Sequence, residues 1–133
     1  MLDDEIVEKI PFVDGPVVED SYKASIVYCL MCLGYTYMEL RHYTEAISCL
    51  DESLEIAGDK VPDLYFRRAQ AICYNKFSNS DDYKKALEDI NKAISLKKDS
   101  LYIEFLDKFK EMIEQKKKNE LDSINSIKIY NYY

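Results

Sequence analysis

The sequence predicts an all-α fold, a stack of about two helix hairpins closed by a long final helix, and three observations predict it. Hydrophobic residues make up 47% and charged residues 32% of the 133, while only three glycines and three prolines interrupt them. That is a composition of long helices with few loops. Within successive segments apolar residues recur at spacings of three and four, the stripe of an amphipathic helix. The segments also repeat with a period in the thirties, which marks helix pairs that stack on one another. The length suits one domain.

Residues 1–20 read as an acidic arm, with a short helix from Asp3 to Ile10 stopped by Pro11 and a turn at Asp14, Gly15 and Pro16. A first helix follows from Ser21 to Leu40, its stripe formed by Ile26, Leu30, Leu33 and Tyr37. After a turn near Arg41 and His42, the series Tyr43, Ala46, Ile47, Leu50 and Leu54 makes a second helix. Gly58 ends it, because glycine takes the left-handed conformation that a helix terminus favours. Pro62 opens a third helix running to about Lys76, with Tyr65, Ala69, Ile72 and Cys73 on one side. The loop from Ser78 to Asp82 is made of capping residues and starts a fourth helix, Tyr83 to Leu96. Asp99 or Ser100 caps a fifth, whose apolar face holds Leu101, Phe105, Leu106, Phe109, Met112 and Ile113 and continues through Leu121, Ile124 and Ile127. Residues 127–133 turn aromatic and β-branched, which suits an extended strand or a loose end. The chain thus divides into an arm (1–20), a helical domain (21–118) and a helix extension with an aromatic tail (119–133). Its large core residues are expected to be Leu30, Leu33, Tyr37, Ile47, Leu50, Tyr65, Ile72, Ile90 and Phe105.

The repeated units can be aligned residue by residue. The first reads Leu30, Leu33, Gly34, Tyr37, Ala46 and Leu50, and the second Tyr65, Arg68, Ala69, Ile72, Ala86, Ile90 and Ala93. Small residues at Gly34, Ala69, Ala46 and Ala86 let paired helices approach, and large ones fill the space between. This pattern resembles the tetratricopeptide repeat, over about residues 22–118. Two departures stand out: Arg68 occupies a place usually given to Leu, and Ala69 to Ala86 spans five residues more than Gly34 to Ala46, an insertion at Phe77 to Asp82. Within the family the chain is similar to the modules of FKBP-type immunophilins and related co-chaperones. Leu40-Arg41-His42-Tyr43-Thr44-Glu45-Ala46 and Leu64-Tyr65-Phe66-Arg67-Arg68-Ala69-Gln70-Ala71 carry that similarity.

The resemblance implies a non-catalytic binding module whose concave groove holds a peptide or helix of a partner protein. The first helix would present Tyr28, Met31, Cys32, Tyr35, Met38 and Glu39, and the third Asp63, Phe66, Arg67, Gln70, Cys73 and Tyr74. Chaperone-binding members seize an acidic heat-shock-chaperone tail with a clamp of Asn, Lys and Arg. Here Cys32 stands at the asparagine position and Asp63 at the lysine position, leaving only Arg67, and a carboxylate at that place repels an acidic tail. The favoured partner is therefore an apolar peptide, or a helix with a basic residue.

The formal net charge of −7 argues against nucleic acid and anionic membrane. Cys29, Cys32, Cys49 and Cys73 all fall in apolar helical patterns, which points to a reducing, cytoplasmic setting. Cys29 and Cys32 have redox or half-zinc-site spacing, but they sit mid-helix without a second pair, and His42 is the sole histidine, so buried small residues are the expectation. No enzyme, metal or cofactor is expected. Because about three repeats usually stabilise such an array, the uncovered side of the first hairpin predicts cover by the arm or by a second copy, in a homodimer.

Overall fold

The computed structural model describes residues 21–132, with side chains through residue 127. Five helices follow in order: α1 (Ser21–Glu39), α2 (Tyr43–Ala57), α3 (Pro62–Tyr74), α4 (Ser80–Leu96) and α5 (Ser100–Tyr132), with one 3-10 turn at Gly58–Lys60. No strand occurs among the described residues. α1 pairs with α2 and α3 with α4, the hairpins stack through α2 against α3, and α5 packs on α4. The arm, with its expected helix and turn, lies outside the described residues.

Local chemistry sets each boundary. α1 ends with Arg41 at φ 62°. There the His42 N–H reaches the Tyr37 carbonyl at 2.8 Å and the Arg41 N–H reaches that of Met38 at 3.0 Å, the paired bonds of a left-handed helix cap. His42 stacks on Tyr37 to complete it. Gly58 closes α2 at φ 61° and donates its N–H to Leu54. Pro62 stands in the first turn of α3. Asn79 and Asp82 cap α4 reciprocally, each side chain accepting from the other's backbone N–H at 2.9 and 2.8 Å. The Asp99 carboxylate accepts from the Leu101 N–H and starts α5.

Two connected cores hold the stack. Val27, Met31, Ala46, Leu50, Leu54 and Leu64 close the first hairpin onto α3. Phe66, Ile72, Ile90, Tyr102, Phe105 and Phe109 join α3, α4 and α5. Ala46, Ala69 and Ala86 are fully buried, as their spacing role requires. A Cβ on Gly34 would stand 3.3 Å from Leu50 Cδ2 and 3.4 Å from Cys49 Cβ, so the α1–α2 approach uses the missing side chain.

Arg68, the departure from the repeat pattern, is built into this core. Its Nε and Nη2 each lie 2.7 Å from the Asp89 carboxylate, and Nη1 lies 2.8 Å from Asp51. Burial works against the Arg68 charge, but its hydrogen bonds to Asp89 and Asp51 outweigh that and hold its pKa above the usual value. At the foot of the second hairpin, Asp59 accepts from the Tyr65 hydroxyl and pairs with Lys92 at 3.0 Å. Burial, with the Asp59 hydrogen bond, pushes Tyr65 up to about 12.

Four expectations are corrected. Leu33 is 45% exposed, and Leu30 and Tyr37 are only half-buried, because α1 turns Ala24, Val27, Met31 and Gly34 inward instead. Cys29 is exposed and Cys32 half-buried rather than both packed inside. Leu101, Leu121, Ile124 and Ile127 all lie exposed, outside the buried face of α5. The extended tail is overturned as well, since α5 stays helical through Tyr132.

Candidate functional site

A depression of about 550 Å³ opens on one side of the stack, lined by Tyr35, Met38 and Glu39 of α1, Arg41 and Tyr43 of the following turn and helix start, and Arg67 and Tyr74 of α3. The 3.6-residue pitch puts Tyr35 and Met38, then Arg67 and Tyr74, on matching faces of adjacent helices. Tyr43 meets Tyr74 with ring centroids 6.0 Å apart, so two aromatic edges form one wall. Tyr74 is 53% exposed.

Asp63 sits beneath this surface and joins three helices. It accepts from the Tyr35 hydroxyl of α1, from Arg67 Nε one turn along α3 at 3.2 Å, and from the Tyr102 hydroxyl of α5 at 3.1 Å. Burial first, and the Asp63 charge second, push both tyrosine hydroxyls far above their ordinary pKa. Arg67 is held further by the Gln70 side chain at 3.1 Å and lies over the Tyr35 and Phe66 rings at 5.1 and 5.3 Å. Burial opposes its charge, but Asp63 raises its pKa overall. The groove is therefore preorganised: its charged centre is a bonded network, not a pair of loose ions.

The structure brings together Tyr35, Met38, Glu39, Arg67 and Tyr74 of the expected set in this depression. Met31 and Phe66 are fully buried and Cys73 is nearly so, which removes them from any contact surface. Phe66 instead packs on Tyr102 and Phe105 at 4.6 and 5.4 Å. Cys73 contacts the Met112 sulfur, and burial pushes its thiol up to about 11. Asp63 and Gln70 lie outside the lining and hold Arg67 by hydrogen bonds. Tyr28 and Cys32 lie one turn apart on α1, outside the lining. Arg41 and Tyr43 are the residues that sequence reasoning missed. They come from the turn between helices, and the repeat pattern assigns that turn no side of the groove.

Among the described residues no group of three metal-ligating side chains converges, and no helix is long and apolar enough to cross a membrane. The tetratricopeptide-repeat pattern matches twice, over residues 27–60 and residues 77–100. The first match spans most of α1 with α2, and the second spans α4 with its flanks. α3 falls between them, and it carries Arg68. No curated protein and no solved structure matches the chain.

Proposed function

We propose that this chain, a member of the tetratricopeptide-repeat family by its two matched repeats, is a non-catalytic module that holds a partner's peptide or helix in the Tyr35–Tyr74 groove. The observation that carries this is the open wall of Tyr35, Met38, Tyr43 and Tyr74 around a fixed Arg67. Rigid aromatic side chains bury much area for little conformational entropy, and the flexible thioether of Met38 adapts its shape to fill gaps beside them, which suits a binding hot spot. The partner segment is apolar, with one basic residue opposite the exposed Glu39. The similarity to immunophilin modules favours a rival occupant, the acidic tail of a chaperone, but Arg67 already bonds Asp63, and that carboxylate lies where such a tail would need a lysine. A reducing, cytoplasmic setting suits the four free thiols. The same reading includes a two-fold dimer, because Leu33 stays exposed on the outer face of α1.

Affinity capture with the whole chain, followed by titration of peptides cut from the captured protein, tests the groove. Tyr74→Ala should weaken binding by about tenfold or more, as for a hot-spot aromatic, with the fold retained. Phe66→Ala is unsuited to this role because Phe66 is core. Binding that ignores Tyr74→Ala would overturn the assignment. Tight, salt-sensitive binding of a peptide ending in Glu-Glu-Val-Asp would favour the chaperone tail instead.

A further inference from the structure

A second cleft, of about 420 Å³, opens between the turn after α3, the first turns of α4 and the middle of α5, and it shares no residue with the groove. Lys76, Lys84, Lys116 and Lys117 surround it, with Glu120 as the only acid in its lining. No carboxylate forms an ion pair with those four lysines among the described residues. Their gathering is a local reversal of sign in a chain whose formal charge is −7. Between them the surface is apolar: Leu87 comes from α4, Ile113 from α5, and the Tyr83 ring from the start of α4. The Lys116 ammonium donates to the Tyr83 hydroxyl and stands 4.5 Å from the ring centroid. The ring is itself braced edge-on against Phe109 of the core, so this cation and its apolar backing are held in place together.

From this juxtaposition we infer that the cleft docks an acidic peptide carrying an apolar side chain. Carboxylates answer the lysines, and the apolar side chain covers Leu87 and Ile113. A small anion would leave the apolar floor bare. A short peptide stays inside the patch, and at physiological salt the field beyond about 8 Å is largely screened, so the local lysines outweigh the acidic whole. This surface also explains the five-residue insertion, because Ser78, Asn79 and Ser80, which it contributes, form the cleft's edge.

The test is a fluorescence-polarisation titration of the full chain against a labelled octapeptide, Asp-Glu-Phe-Glu-Asp-Leu-Glu-Asp. A dissociation constant on the order of tens of micromolar is expected, weakening several-fold as salt is raised through the range that shortens the screening length. Lys84→Gln with Lys117→Gln, both exposed and outside the core, should weaken it about tenfold, equivalent to ~1.4 kcal/mol, while Tyr74→Ala leaves it unchanged. Equal binding by the lysine variant would overturn the proposal. So would equal binding of an octapeptide with Ser in place of Phe and Leu, since that shows ion attraction without an apolar anchor. Tighter, equally lysine-dependent binding of single-stranded RNA or of phosphatidylserine vesicles would overturn it in favour of those ligands.

Discussion

Arg68 shows how one residue outside the repeat pattern is held by charge rather than shape. Asp89 is buried, with its carboxylate 5% exposed, and Arg68 neutralises it. Removing one partner of such a pair leaves an uncompensated buried charge, so Arg68→Ala should cost about 3–5 kcal/mol near neutral pH. Burial already holds the Asp89 carboxyl above the usual carboxylate range despite Arg68, and loss of the guanidinium raises it further. A carboxyl whose folded pKa lies above its unfolded one favours folding at low pH, and that advantage disappears as pH rises through the folded value. The Arg68→Ala penalty should therefore be largest at neutral pH and shrink on acidification. Urea denaturation at several pH values reads this directly, and a pH-independent difference would show that Asp89 does not stay charged and buried. Arg41 is the second residue-scale case. A non-glycine residue at φ 62° is strained by about 1 kcal/mol, so Arg41→Gly should stabilise the fold by roughly that amount. The same change removes a groove cation, and a thermal melt paired with the peptide titration separates the two effects.

At the scale of the element, α1 decides whether the stack has been read correctly. Leu50→Ala should cost on the order of 2–5 kcal/mol, because Leu50 is fully buried against α1. Leu33→Ala, on a half-exposed side chain, should cost under about 1 kcal/mol. Chemical denaturation of the two variants checks the order, and the reverse order would restore the stripe that periodicity suggests. The five helices, the Pro62 start, the Gly58 stop and the α4 cap were all legible because each rests on local chemistry, and Arg68 was legible as a departure from the repeat pattern. The inward face of α1 was not legible. The helix is apolar nearly all round, with Ile26, Leu30, Leu33, Val27 and Met31 spread over adjoining faces, so periodicity offers two stripes about 100° apart. Packing against α2, through the notch at Gly34, selects Val27 and Met31. Of the groove, the α1 and α3 residues followed from the resemblance to tetratricopeptide repeats, in which the first helix of each pair lines the concave face. Arg41 and Tyr43 depended on a turn conformation that the side chain at Arg41 disfavours, and no helical pattern could signal it.

For the whole molecule the proposed dimer depends on the outer side of the first hairpin. A stack of two repeats and a closing helix buries α2 against α3 and α4 against α5, and α1 is the first helix of the described stack. Its outer side carries Leu33 at 45% exposure, with Ile26 and Leu30 half-buried beside it. In a longer array another repeat would bury that face. Here a second copy can meet it face to face, and a two-fold axis is the simplest closed arrangement for a self-complementary patch. Light scattering should therefore give a mass that rises toward twice 15.6 kDa at concentrations near roughly 100 μM, where a weak homodimer of about −5.5 kcal/mol is populated. Leu33→Asp should return the mass to that of a single chain with helicity unchanged, because the substitution places a charge on the contact while leaving Val27, Met31 and Leu50 in the core. If the unaltered chain stays monomeric throughout that range, and still keeps full helicity after removal of residues 1–18 and 127–133, then neither a second copy nor the arm is needed, and the two hairpins with α5 are stable alone.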